Sequence, residues 1–151
     1  MRKLLLLCLL LLLPIGCTKA PDRINPPVKE YTDFNLYMND IQKEAKDRGG
    51  LFSWITPTGS MLPYIQDYDW VIILPADKAP FEDLQIGDIV AYNATWVTDD
   101  ITKVLHRITG KDQWGWIVGG DNNPVNDPNV HLTKENYLGK CVTIYRFHHI
   151  Q

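Results

Sequence analysis

The chain has 151 residues, 45% of them hydrophobic and 22% charged, with a formal net charge of −3. That length suits one domain with a real core, and the mildly acidic balance supplies no basic face for nucleic acid. No internal repeat, P-loop or dinucleotide fingerprint is present.

The N-terminus, "MRKLLLLCLLLLLPIGC", places two basic residues before a leucine run from Leu4 to Leu13. That run has the length of a signal-peptide core and falls short of the ~20 residues a spanning helix needs. It ends in "LPIGC", which resembles the bacterial lipoprotein cleavage box, in which the cysteine becomes the lipid-bearing first residue. Pro14 stands where leucine is usual, beside Leu13. The expectation is a signal over residues 1–16, lipid on Cys17, and an exported, membrane-associated domain on the extracytoplasmic (periplasmic or cell-surface) side; an uncleaved anchor is the alternative. Cys8 leaves with the signal and Cys17 carries lipid, so Cys141 alone remains and no intramolecular disulfide forms. Residues 17–30, including the proline-rich "TKAPDRINPPVK", read as a tether.

The segment 31–50 carries Phe34, Tyr37, Met38, Ile41 and Ala45 at helical spacing, with Thr32 or Asp33 as cap and Gly49 as stop. From residue 51 the pattern becomes β-rich: "LFSWI", "WVIIL", "DIVAY", "KVLHRIT", "WGWIVG" and "KCVTIYRF", with Gly, Pro, Asn and Asp between. Short strands separated by turn signals predict a compact, mainly β domain over 51–151, preceded by one helix. In the last run Cys141 alternates with Thr143, Tyr145 and Phe147, as a buried structural thiol on one strand face would. "ATWVTDDIT" reads as an exposed connection between two strands.

Within "TPTGSMLPYI", Ser60 sits on a Gly- and Pro-marked turn directly after an apolar run. A serine hydroxyl becomes a nucleophile only when a base removes its proton and oriented donors hold the oxyanion. Of the four histidines, His148 and His149 lie in the C-terminal tail and His131 lies in the loop-like "DPNVHLT". His106, in "KVLHRI", would be aimed from a strand. Taken alone, Gly, Ser and Pro are ordinary turn punctuation, and a strand histidine is more often structural than catalytic.

Their order is more specific. "TGSMLP", "DWVIIL", "IGDIVAY", "VLHRITG" and "VGGDNN" follow one another from Phe52 to Arg146 and resemble the successive boxes of the signal peptidase I family. His106 stands immediately before Arg107, where typical bacterial members carry a lysine. This resembles the endoplasmic-reticulum type, shared with archaea and some Gram-positive bacteria, which uses serine and histidine. The resemblance implies a β fold shared with LexA-type repressors, with Ser60 as nucleophile and His106 as base. It implies an acidic residue in "GGDNNPVNDP" that assists the imidazole: Asp121 is preferred, with Asp127 a close second. It further implies an oxyanion hole from the Thr58 hydroxyl and the Ser60 N–H, with Met61 and Pro63 shaping the substrate cleft. No metal and no cofactor is called for, and Asp88 reads as a structural turn residue. Lys103, at an odd offset from His106 on an extended strand, falls on the opposite face.

Two departures from the family stand out in the residues: Tyr68 replaces a glycine frequent before the aspartate of the next strand, and Pro124 follows the "GDNN" box. A third is the lipid-type signal and tether where the family usually has transmembrane helices. The implied function is a serine endopeptidase that cleaves signal or pro-sequences from exported precursor proteins. The alternative is a catalytically silent lipoprotein of the same fold acting as a binding or assembly module. The export signal and the lack of a DNA-reading domain argue against a repressor.

Overall fold

The computed structural model describes residues 25–94, 102–128 and 130–149. The leucine run, Cys17 and most of the expected tether lie outside the described residues, as does most of the connection "ATWVTDDIT". Among the described residues the architecture is mainly β, with one eight-stranded sheet, one α-helix and a short 3-10 helix at Phe81–Asp83. In chain order the strands and the α-helix are β1 (Val28–Tyr31), α1 (Phe34–Arg48), β2 (Leu51–Trp54), β3 (Trp70–Pro75), β4 (Ile89–Ala94), β5 (Thr102–Asp112), β6 (Gly115–Gly119), β7 (His131–Leu132) and β8 (Tyr137–Phe147). The sheet runs β2-β3-β8-β4-β5-β6-β7, antiparallel at each step, with β1 added to β8 in parallel.

The helix begins and ends where its sequence signals lie. Asp33 Oδ1 accepts from the backbone N–H of Asn35 and Leu36, satisfying two of the orphan donors of the first turn. Gly49 closes the helix at φ 63, in the left-handed region where glycine carries no steric cost. Tyr37, Ile41 and Ala45 form the buried stripe and pack on Ile72 and Tyr145. The residues flanking Ile72 and Tyr145 face the other way: Val71 and Ile144 join Met61, Ile65, Ile89 and Cys141 in a second cluster. A third gathers Leu84, Val90, Tyr92, Ala94, Ile108, Val118, Leu132 and Tyr137 under the β4–β7 half.

The structure departs from the expected elements at three places. Val28–Glu30, assigned to the tether, belong to β1, whose strand character comes from pairing with Ile144–Phe147 at the far end of the chain. β7 is a two-residue strand inside the stretch expected to be a loop, paired through Leu132 with Trp116 and through His131 with Ile117. The simple alternation expected in β8 is also broken. The register against β3 slips between Ile72 and Ile73, so Thr143 and Cys141 face successive partners with Val142 as the extra residue. Thr143 accordingly turns to Glu44 and Arg48 of the helix, while Cys141 turns to Met61 and Ile89. Cys141 is a free, buried thiol, and burial pushes its pKa up to about 12.

Candidate active site

Ser60 opens a run of turns between β2 and β3. Gly59, immediately before it, adopts φ 67, a conformation that a side chain would resist. The Gly59 N–H donates to Asp67 Oδ1 at 3.2 Å, and Leu62 N–H donates back to the Gly59 carbonyl at 3.2 Å. The next step of this turn points Met61 into the core, where it is only 3% exposed. Of the two residues expected to shape a substrate cleft, Met61 thus packs in the core and Pro63 is exposed.

His106 lies in the middle of β5, in register with Val90 of β4. Neighbouring strand residues point to opposite faces, so His106 and Arg107 diverge. The imidazole is 5% exposed, with Nε2 3.2 Å from Ser60 Oγ and Nδ1 2.7 Å from Asp127 Oδ2. Asp127 is anchored by its own backbone, its N–H donating to the Val118 carbonyl of β6 at 2.9 Å. Serine, imidazole and carboxylate thus form one continuous hydrogen-bonded line, drawn from three separate segments of the chain.

The preferred partner for the histidine, Asp121, goes elsewhere. Arg107 takes it bidentately, Nε to Oδ1 at 2.8 Å and Nη2 to Oδ2 at 2.7 Å, and both side chains are almost wholly buried. Since Arg107 leaves the strand on the face opposite His106, the carboxylate that pairs with it is drawn away from the imidazole. Of the two aspartates expected near His106, the structure thus brings Asp127 to the imidazole and Asp121 to Arg107. Lys103 is exposed and registers with Asn93, on the face opposite His106. Asp88 is a buried turn residue, accepting from Gln85 N–H and paired with Lys140 at 2.7 Å.

The Thr58 hydroxyl stands beside Ser60, 3.3 Å from its Oγ and 3.5 Å from the Ser60 backbone nitrogen, whose N–H points at it. Both contacts are long. The threonine hydroxyl and the serine amide are therefore adjacent, and neither is engaged in a short bond that would keep it from a third oxygen.

Two residues that lie inside the quoted boxes, Tyr92 at the end of "IGDIVAY" and Asn122 in "VGGDNN", are given no role by the sequence. Tyr92, fully buried on β4, donates its hydroxyl to Asp127 Oδ2. Asn122 donates its backbone N–H to the Ser60 carbonyl at 2.9 Å and its side-chain amide to the Gly59 carbonyl at 3.1 Å. The first was discoverable in principle: on β4 Tyr92 pairs with Val104, two residues before His106, which makes it a diagonal same-face neighbour of the histidine. Tyr68, the replacement for glycine, has φ 68. That left-handed conformation suits glycine and costs a bulky residue ~1–2 kcal/mol; its ring stacks on Trp54, centroids 6.3 Å apart. Among the described residues no three His, Cys, Asp or Glu side chains converge as metal ligands.

Together these features make a mainly β domain in which a serine on a glycine-marked turn meets a strand histidine backed by a buried carboxylate. Two known proteins have similar sequences. The chain is 31% identical over 84 residues to the signal peptidase complex catalytic subunit SEC11 of Clavispora lusitaniae, a match covering 55% of this chain and 48% of that protein. It is 34% identical over 89 residues to the signal peptidase complex catalytic subunit SEC11 of Komagataella phaffii, covering 55% of this chain and 50% of that protein. The chain thus spans about half the length of the curated relatives it matches. No family model and no solved structure matches it. The two relatives support the signal peptidase I family, in the endoplasmic-reticulum-type branch that the boxes resemble.

Proposed function

We propose that the chain is a serine endopeptidase of the signal peptidase I type, which cleaves signal or pro-sequences from exported precursor proteins. The observation that carries this reading is the line Ser60 Oγ, His106 Nε2, His106 Nδ1, Asp127 Oδ2, with steps of 3.2 and 2.7 Å. In this mechanism Ser60 Oγ attacks the scissile carbonyl as His106 Nε2 takes its proton. Asp127 fixes the imidazole in the tautomer with hydrogen on Nδ1 and stabilises the imidazolium as it forms. The proton then passes from Nε2 to the leaving amine, and a water activated by the same imidazole releases the acyl group. The Ser60 N–H and the Thr58 hydroxyl turn from each other to the developing oxyanion, a tightening expected on substrate binding.

The similarity to signal peptidase catalytic subunits supports this activity at the level of the family. Export and membrane association rest on the leucine run and "LPIGC", with lipid on Cys17 or an uncleaved anchor holding the domain at the membrane. Among the described residues no helix is long and apolar enough to cross a membrane. The reading is tested by N-terminal and intact-mass analysis of exported proteins from cells with the native chain or Ser60→Ala. Precursors that keep their N-terminal segment only in the variant support it. An identical set of N-termini overturns it.

A further inference from the structure

Asp127 comes from a segment with no regular secondary structure, yet its carboxylate has to meet one nitrogen of one ring. Its backbone is fixed by the bond from its N–H to the Val118 carbonyl, but that bond leaves the side chain free to rotate. Two groups meet the carboxylate there, His106 Nδ1 and the Tyr92 hydroxyl. The tyrosine is 0% exposed, its ring belongs to the cluster under β4–β7, and its centroid lies 6.4 Å from that of His106. Phenylalanine would fill the same space without burying a hydroxyl, and a buried hydroxyl without a partner is costly. The partner is Asp127 Oδ2, the same oxygen that receives His106 Nδ1. The distance from the Tyr92 hydroxyl to Nδ1 itself is 3.4 Å, so the two donors sit side by side and converge on one acceptor.

We propose that Tyr92 is a positioning residue for this site: by donating to Asp127 Oδ2 it holds the buried carboxylate on His106 Nδ1 and so keeps Nε2 aimed at Ser60. The inference rests on the proposed Ser60–His106–Asp127 mechanism and deepens it. Burial, followed by the hydrogen bond to Asp127 and the negative charge there, pushes the tyrosine pKa upward, so the hydroxyl stays protonated and remains a donor. Loss of that donor leaves Oδ2 with the imidazole alone and frees the carboxylate to turn about its last torsion.

The test combines kinetics with a measurement that needs no activity. In precursor cleavage, Tyr92→Phe is expected to lower kcat about 10-fold with KM nearly unchanged. The effect should vanish in an Asp127→Asn background, because two residues acting through one contact are not additive. In the full chain carrying 15N-labelled histidine, Tyr92→Phe should shift the His106 Nδ1 resonance while amide resonances of β8 stay in place. An Nδ1 resonance that does not move, or a kinetic cost that persists undiminished in Asp127→Asn, would overturn the proposal. Absence of any cleavage by the native chain would defeat the peptidase reading, while the Nδ1 shift would still report whether Tyr92 orders the pair.

Discussion

Asn122 holds Ser60 by its backbone: the Asn122 N–H donates to the Ser60 carbonyl at 2.9 Å, and its side chain reaches the Gly59 carbonyl at 3.1 Å. The turn that presents the proposed nucleophile is thereby hung on the loop that also carries Asp127. Gly120 makes the close approach possible, since a Cβ there would lie 2.5 Å from the Ser60 carbonyl oxygen.

Asn122→Ala keeps the backbone bond to Ser60 but removes the side-chain bond to the Gly59 carbonyl, and should lower kcat for precursor cleavage about 10-fold, with KM little altered, because it loosens the serine turn without touching the base. Displacements of about 1 Å at a reacting atom have effects of this order or larger. Gly120→Ala should be worse, as its methyl meets backbone that cannot yield. Steady-state kinetics on both variants, beside a thermal melt to establish folding, checks the expectation.

The two aspartates should separate in their effects. Asp121→Asn removes the negative charge from the buried bidentate pair with Arg107, and disrupting a buried ion pair costs about 3–5 kcal/mol. Asp127→Asn disturbs the imidazole directly and should lower kcat by about 10²-fold or more. The expected pattern is a large loss of denaturation midpoint in the Asp121 variant and a large loss of turnover in the Asp127 variant. Urea titrations and kinetics on the two proteins read it out.

The helix-to-sheet polar cluster sets a pH dependence of stability. Burial works against ionisation of Glu44, but hydrogen bonds from Lys29, Thr143, Tyr145 and Arg48 outweigh it and hold its pKa at about 2, below the ordinary 4.5. With the folded value depressed, the unfolded chain binds more protons between these pH values. The stabilisation is therefore present above about pH 4.5 and is lost as the pH falls toward 2. Partial exposure screens the cluster and keeps the effect small. Urea midpoints measured across this range should fall with acid in the native chain and be flatter in Glu44→Gln.

Legibility in the sequence followed the range of the interactions. The helix was readable because its cap, stripe and stop are all local: Asp33, the Tyr37–Ile41–Ala45 spacing and Gly49. The six long β-rich runs likewise announced themselves by composition. β1 did not, since Val28–Tyr31 becomes a strand only by joining β8 more than a hundred residues later. The bulge at Val142 left no mark either, because a single extra residue alters facing without altering composition. Ser60 and His106 were found by motif, and the structure brings their side chains together. Which of the two aspartates meets the imidazole is not legible for a physical reason: Asp121 and Asp127 share one irregular loop, and nothing periodic assigns either to a face. Arg107 beside the histidine held the clue, as an arginine turned into the opposite face requires an acid of its own. The burial of Met61 is not legible in the sequence, because a turn, unlike a strand, has no fixed alternation to tell inside from outside.

The central claim is that Ser60 is activated by His106, and the sharpest test compares two substitutions on the same strand. An unperturbed imidazole titrates near pH ~6.5, whereas a lysine must be lowered by several units from ~10.4 to act as a base near neutrality. Lys103 is exposed and points away from the serine face. Cleavage of an exported precursor should be measured for the native chain, His106→Ala and Lys103→Ala, each shown to be folded. The account predicts a loss on the order of 10³-fold or more for His106→Ala and nearly native rates for Lys103→Ala. Cleavage that survives His106→Ala and disappears in Lys103→Ala would contradict it.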